Sequence, residues 1–194
     1  MRRSLIRQLE AYRGEEAENT YLTGIVSLLV REERCFHRDF FKPGHITGSG
    51  LLVSHDGLRI ALNHHKSLNI WVCFGGHADG EEDILSVARR EVAEESGVRD
   101  FHCVSDGIFD IDIHSIPENP KKKEPQHQHF DITFLFQTTR PAELVVSDES
   151  HNIRWCSLEE AQELSPSGRD HHMDRLFRKW QAWRSASPDK LSVS

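Results

Sequence analysis

The sequence lacks several features that would assign it to other protein classes. No apolar run reaches the roughly 18 residues that a membrane-spanning helix requires. The start, Met1-Arg2-Arg3, carries charge, but no apolar segment with a small-residue cleavage site follows it. Only four cysteines are present: Cys35, Cys73, Cys103 and Cys156. They lie far apart with no C-x-x-C spacing, which argues against a cysteine zinc site and against a disulfide framework. Basic excess is missing too. The net charge is −7, against the basic patch that duplex nucleic acid would demand. A nucleotide substrate stays open, because a metal and a few Lys or Arg side chains can meet its charge. No internal repeat or long low-complexity tract is visible. These absences leave a soluble, cytoplasmic protein, and 194 residues suit one domain with a sizeable core.

What is present concentrates in residues 76 to 98. Gly75 and Gly76 supply a loop able to take φ > 0. After Gly80, the run Glu81-Glu82-Asp83 places carboxylates where a helix should begin, beside its partly positive free N–H groups. Gly97 suits the position just past the helix end. The segment between predicts one helix of about four turns, with Ile84, Leu85, Ala88 and Val92 as its buried stripe. Glu91, Glu94 and Glu95 fall on a neighbouring arc. Glu91 and Glu95 stand four apart, a like-charge spacing that costs a helix roughly 0.2–0.5 kcal/mol. Crowded carboxylates beside a buried stripe call for a counter-charge, and a hard cation such as Mg²⁺ with oxygen ligands fits. Arg90 is spaced to pair with Glu94. The bland reading of the same pattern is a solvated acidic face.

The spacing adds a second argument. Gly76, Glu82, Arg90, Glu91, Val92, Glu94, Glu95, Gly97 and Val98 match G-x5-E-x7-R-E-U-x-E-E-x-G-U, with U aliphatic. Seven fixed letters at roughly 7% usage each meet by chance on the order of once in 10⁸. This is the Nudix box, and the chain resembles the Nudix hydrolase superfamily. The resemblance implies an α/β (α+β) fold, an α/β/α sandwich with a mixed β-sheet, extended here by N-terminal and C-terminal helices. It implies hydrolysis of a nucleoside diphosphate linked to a further group X, with Mg²⁺ or Mn²⁺ as cofactor. By position, Glu91, Glu94 and Glu95 are then the metal ligands, Arg90 orients the glutamates, and Gly76, Glu82 and Gly97 shape the loop. Phe74 departs from the pattern, since many members place proline before the two glycines.

Along the chain, residues 1–44 read as an N-terminal helical extension, 45–165 as the Nudix core, and 166–194 as a C-terminal helix and tail on the same domain. Leu5, Ile6, Leu9 and Tyr12 predict one helix, and Tyr21 to Leu29 a second, with a break at Gly14. Packing, a lid or a dimer arm are the open uses of this extension, so a homodimer is among the partners to consider. Strands are expected over Ile46–Ser54, Leu58–Asn63, Ile70–Phe74, Phe101–Ser105, Gly107–His114, His127–Gln137 and Asn152–Cys156. Asp56-Gly57 reads as a hairpin turn. Pro141–Val146 reads as strand or extended loop, and Ser157 with Glu160 as a capping box. Met173, Leu176, Phe177, Trp180 and Trp183 form the last helix's stripe.

Two strands carry an unusual face. Period-2 alternation sets Asp110, Asp112 and His114, with His127, His129 and Asp131, opposite an apolar face of Phe and Ile. An antiparallel pairing of His114 with His127, Asp112 with His129 and Asp110 with Asp131 is one register. The face suits substrate binding, a second cation such as Zn²⁺, Mn²⁺ or Fe²⁺, or plain solvation. Carboxylates beside the histidines predict raised imidazole pKa values. His127, His129, Asp131, Asp112, His114 and Trp71 are taken as substrate-binding candidates. Lys121 to Lys123 read either as a solvated loop tip or as phosphate contacts. In the resemblance, an acidic residue just before such a strand as Asn152–Cys156 is an extra ligand or the base, which points to Glu149, then Asp148. Catalytic candidates are therefore Glu94, Glu149 and Arg90. Rival readings are a hydrolase or isomerase acting on a non-nucleotide diphosphate, a nucleotide-sensing module without catalysis, and a separate metal hydrolase on the His/Asp face.

Overall fold

The computed structural model describes residues 1–104, 107–148, 150–166 and 171–186. In chain order the elements are α1 (Arg2–Ala11), α2 (Glu18–Arg31), β1 (Gly44–Val53), β2 (Ile60–His65), β3 (Ile70–Val72), β4 (Phe74–His77) and α3 (Ile84–Ser96). There follow β5 (Phe101–Cys103), β6 (Asp110–Ile116), β7 (His127–Thr138), β8 (Ser150–Cys156), α4 (Leu158–Leu164) and α5 (His171–Ala186). The class is mixed α+β, with all eight strands in one sheet. No helix among the described residues is long and apolar enough to cross a membrane.

Two compact units share these elements. The first comprises Met1–Ser49, Gly75–Arg89 and Ser105–Phe134. Here α1 and α2 bury Leu5, Leu9, Ile25, Leu28 and Leu29 of the apolar positions at helical spacing, while Ile6, Tyr12, Tyr21, Leu22 and Val26 are half-exposed. Helix α2 approaches β6 so closely that a Cβ on Gly24 would lie 2.7 Å from Ile113 Cδ1. Glu18, buried at the start of α2, accepts hydrogen bonds from Tyr12 Oη at 2.5 Å and from the Ile111 backbone N–H at 3.3 Å. Strand β6 pairs antiparallel with β7. The backbone N–H of Gln128 donates to the Pro43 carbonyl, and Thr47 reaches Asp131. These contacts advance in the same direction on β1 and β7, so the two run parallel and the sheet is mixed.

The second unit comprises Gly50–Phe74, Arg90–Val104 and Leu135–Ser194. Its hairpin places Val53 opposite Ile60. Asp56 makes the turn the sequence predicts: its Oδ1 accepts from Ser54 Oγ at 2.6 Å and from the Leu58 N–H at 3.0 Å. Strand β8 lies antiparallel along β2, from Ile60↔Cys156 to His65↔Ser150. Strand β3 pairs with β2 at residues 63–65. The Ser157–Glu160 capping box is formed as expected. In α5, Met173, Leu176, Phe177 and Trp180 are buried, while Trp183 is half-exposed. The stretch 141–147 has no regular structure. None of the four cysteines forms a disulfide.

Helix α3 belongs to both units in turn. Its start is set by Asp83, whose Oδ1 accepts from the Ser86 N–H at 3.2 Å. Its end is set by Gly97 at φ +73°, where a Cβ would also lie 2.7 Å from Val145 Cβ. Ile84, Ala88 and Val92 are buried as expected. Leu85 is half-exposed instead, and Val87 takes its place in the stripe. The reason lies under the helix: glycine at position 48 lets Ile84 and Val87 come close, since a Cβ there would meet Val87 Cγ1 at 3.0 Å.

Candidate functional site

The turn before α3 is made by Asp79 at φ 49° and Gly80 at φ 91°, whereas Gly75 and Gly76, expected to supply a loop at positive φ, lie in β4 and neither has positive φ. Glu82 sits in that turn and is held by the chain start. Its Oε2 accepts from the Arg2 backbone N–H at 3.0 Å, and its Oε1 pairs with Arg2 Nε at 3.2 Å. The Arg2 guanidinium also donates to the carbonyls of Glu32 and Glu33 and lies over the Phe36 ring. An N-terminal residue thus supports a box residue, a link that no local spacing announces.

The carboxylate half of α3 has three different environments. Glu95 is 6% exposed and faces Asn63 of β2, whose Nδ2 donates to Glu95 Oε1 at 3.4 Å. Glu91 is largely buried, with its Oε1 2.5 Å from Arg90 Nη1. Glu94 is open to solvent, and its Oε2 lies 3.7 Å from the same Nη1. The expected Arg90–Glu94 pair is present, but Arg90 holds Glu91 more tightly. The three carboxylates do not converge on one point. Their chemistry nevertheless fits a hard cation. Glu91 and Glu95 are two largely buried carboxylates four residues apart, a like-charge spacing, and all donors are oxygens.

The face of β6 and β7 differs from expectation in register. His114 stands opposite His129, Asp112 opposite Asp131 and Asp110 opposite Thr133, while His127 meets Ile116. The intervening loop did not fix the pairing, and the observed register slides the strands by two residues, so the same side chains keep their face. The aspartates are not solvated: Asp110, Asp112 and Asp131 are all buried. Asp131 accepts from Thr47 Oγ1 at 2.6 Å, Ser49 Oγ at 2.8 Å and Thr133 Oγ1 at 3.0 Å. Asp112 Oδ2 lies 3.0 Å from His114 Nδ1.

The histidines gather with two that strand alternation did not single out, His45 on β1 and His77 on β4. Ring centroids of His45, His77 and His129 lie 4.8–5.3 Å apart. His127 stands 5.0 Å from His45 and 5.2 Å from His129. At His129 the expected rise in imidazole pKa is reversed. Burial, then the charge of Arg38 and His45, lowers His77 to about 4. Burial, then the surrounding imidazoles, lowers His129 to about 2. His45 is also lowered, chiefly by burial. The physical reason is burial, which disfavours the charged imidazole, reinforced at His129 by the surrounding histidines. His77 offered one sequence signal, its place inside the box between Gly76 and Ala78. His45 offered none, because its partners come from other strands.

Trp71 lies elsewhere, on β3, half-exposed and stacked on His64 with centroids 5.0 Å apart and planes at 12°. His151 of β8 stands 5.2 Å from His64. Lys121, Lys122 and Lys123 are exposed at a turn. Asp148 contributes its carbonyl to Lys66 Nζ at 2.7 Å. Glu149 lies outside the described residues.

Comparison with known proteins agrees with the box. The model of the NUDIX domain matches residues 47–179. The chain belongs to the Nudix hydrolase family. A curated relative from Lactococcus lactis subsp. cremoris, a probable DHNTP pyrophosphohydrolase, is 36% identical over 62 residues. That match covers 32% of this chain and 36% of the relative, so the chain spans about a third of the relative's length. Among solved structures, a C. elegans Ap4A hydrolase superposes with a TM-score of 0.58 at 20% identity, covering 73% of this chain and 98% of that one. An E. coli dihydroneopterin triphosphate pyrophosphohydrolase gives 0.50 at 14% identity, covering 74% and 95%. At those identities the likeness is one of fold.

Proposed function

We propose that this chain is a cytoplasmic, Mg²⁺-dependent pyrophosphohydrolase that cleaves the diphosphate linkage of a nucleoside diphosphate joined to a further group X. The observation that carries the reading is the carboxylate half of α3: Glu91 and Glu94 held by one guanidinium, and Glu95 turned inward to Asn63. Glu91, Glu94 and Glu95 would hold the cation, Mg²⁺ or Mn²⁺. When bound, such a cation neutralises phosphoryl charge and lowers the pKa of an attached water. Arg90 positions Glu91 and Glu94. Glu94, the most open of the three, or Glu149 accepts the proton of the attacking water. The tight turn at Asp79-Gly80, with Glu82 fixed by Arg2, keeps the loop in shape before the helix.

For substrate contacts we assign His114, steadied by Asp112, and His127, whose Nδ1 lies 2.8 Å from the Pro125 carbonyl. Asp131 serves by orienting this face through its hydroxyl partners. Trp71 offers a flat ring, already stacked on His64, for a heterocycle. The names of the Lactococcus and E. coli proteins, with a pterin triphosphate in the latter, accord with a heterocycle on a phosphate chain. The experiment is a screen of nucleoside triphosphates, dinucleoside polyphosphates, ADP-ribose and sugar nucleotides with Mg²⁺, products identified by mass. Cleavage within the diphosphate supports the reading. Release of products only from non-nucleotide diphosphates would favour the rival substrate class.

A further inference from the structure

The imidazoles of His45, His77 and His129 come from three strands, β1, β4 and β7. Each offers one ring nitrogen, and these atoms all lie within 4.8 Å of one another. Among the described residues this is the group of three ligating side chains that gathers so closely, and the box glutamates do not form another. His45 is 1% exposed. Its Nδ1 lies 3.2 Å from the Phe40 carbonyl. A carbonyl only accepts, so Nδ1 carries the hydrogen and the lone pair falls on Nε2. That Nε2, and the Nε2 of His129, are buried without a hydrogen-bond partner in the protein. Orphaned buried nitrogens call for an explanation.

We propose that His45, His77 and His129 form a binding site for a borderline divalent cation of the Zn²⁺ class, distinct from the oxygen-ligand site of the box. Neutral imidazole is the ligand form such a cation takes, and zinc sites with three protein ligands leave a fourth position open. A backbone carbonyl holding the opposite ring nitrogen, as Phe40 holds His45, is the usual outer partner of a metal-bound histidine. Tetrahedral coordination at about 2.05 Å sets nitrogens about 3.3 Å apart. The rings therefore need to close by on the order of 1 Å. A purely structural histidine cluster would instead bridge its orphaned nitrogens with water. Mg²⁺, which prefers oxygen, does not compete for three imidazoles. Because His77 lies in the box segment, the cation would tie that loop to β1 and β7.

The test uses the full chain, untagged and stripped with chelator, in buffer containing Mg²⁺. Co²⁺ is titrated in while its visible d–d absorption is followed, then displaced with Zn²⁺, and bound zinc is counted by elemental analysis. The proposal expects one Co²⁺ per chain with a tetrahedral spectrum, displaced by Zn²⁺ and indifferent to excess Mg²⁺. His77→Ala and His129→Ala should lose the spectrum, whereas Glu94→Gln should keep it. Should those variants fail to fold, histidine ring ¹⁵N shifts in the wild-type chain serve instead, with Zn²⁺ moving the ring nitrogens of three histidines. Absence of stoichiometric binding, loss of the spectrum in Glu94→Gln, or its survival in folded His129→Ala overturns the site.

Discussion

Arg2 and Glu82 are joined twice, once through the Arg2 backbone N–H at 3.0 Å and once through Nε at 3.2 Å. Eighty residues separate them in sequence, yet the pair fixes the acidic turn that leads into α3. Both side chains are partly exposed, at 23% and 37%, so solvent screens the charge term. Arg2→Ala should therefore cost about 1 kcal/mol, from a charged hydrogen bond and lost packing on Phe36. For a chain of this size that is about 2–4 °C in Tm. Calorimetry of the variant checks it. An unchanged Tm would mean that the Arg2 side chain does not support the box turn.

Gly97 gives a sharper structural test. Its φ of +73° disfavours any side chain, and a Cβ would lie 2.7 Å from Val145 Cβ. Gly97→Ala should destabilise by about 1–3 kcal/mol, read as a lower urea midpoint with an unchanged slope. A neutral result would show that the helix end relaxes freely.

The roles of Glu94 and Glu149 separate by substitution. Glu94→Gln should lower kcat roughly 10²- to 10⁴-fold. If Glu149 is the base, Glu149→Gln should lower the rate comparably while Mg²⁺ still raises the thermal midpoint as in wild type. If Glu149→Gln is mild and Glu94→Gln severe, the base lies within the helix. Near wild-type turnover in Glu94→Gln would remove it from both metal and base roles.

The histidine cluster predicts how stability depends on pH. His77 and His129 have folded pKa values near 4 and 2, below the ordinary 6.5. The unfolded chain therefore binds more protons between these values. Their contribution to stability is complete above about pH 6.5 and is lost as pH falls toward 4 and below. Each proton difference tilts stability by about 1.4 kcal/mol per pH unit. In chelator-treated protein, urea midpoints at pH 7.5 and pH 5 should differ more in wild type than in His129→Asn. Equal differences would mean that His129 is not held neutral in the fold.

Much of this architecture was legible because it rests on local chemistry. The box helix is bounded by Asp83 and Gly97, the hairpin by Asp56, and α4 by Ser157 and Glu160, each reading out within a few residues. The strands β6 and β7 also announced their faces by alternation. Their register did not, since a two-residue slide keeps every side chain on its face and the loop between them sets no pairing. The His45–His77–His129 cluster was hidden for a related reason, as three strands distant in sequence must be paired before the rings meet. Burial of Asp110, Asp112 and Asp131 was equally non-local, because hydroxyls of Thr47 and Ser49 on β1 satisfy Asp131. Val87 replaced Leu85 because of a glycine thirty-nine residues earlier, at position 48.

The proposed function requires that the glutamates of α3 hold a cation for cleavage of a diphosphate. Its most direct test is hydrolysis of the nucleotide panel by the chelator-stripped chain, with and without added Mg²⁺, products identified by mass. The expected result is scission of a diphosphate linkage that needs Mg²⁺ or Mn²⁺ and falls by orders of magnitude in Glu94→Gln. Hydrolysis that proceeds equally in excess chelator, or that is unaffected by Glu94→Gln, would contradict it.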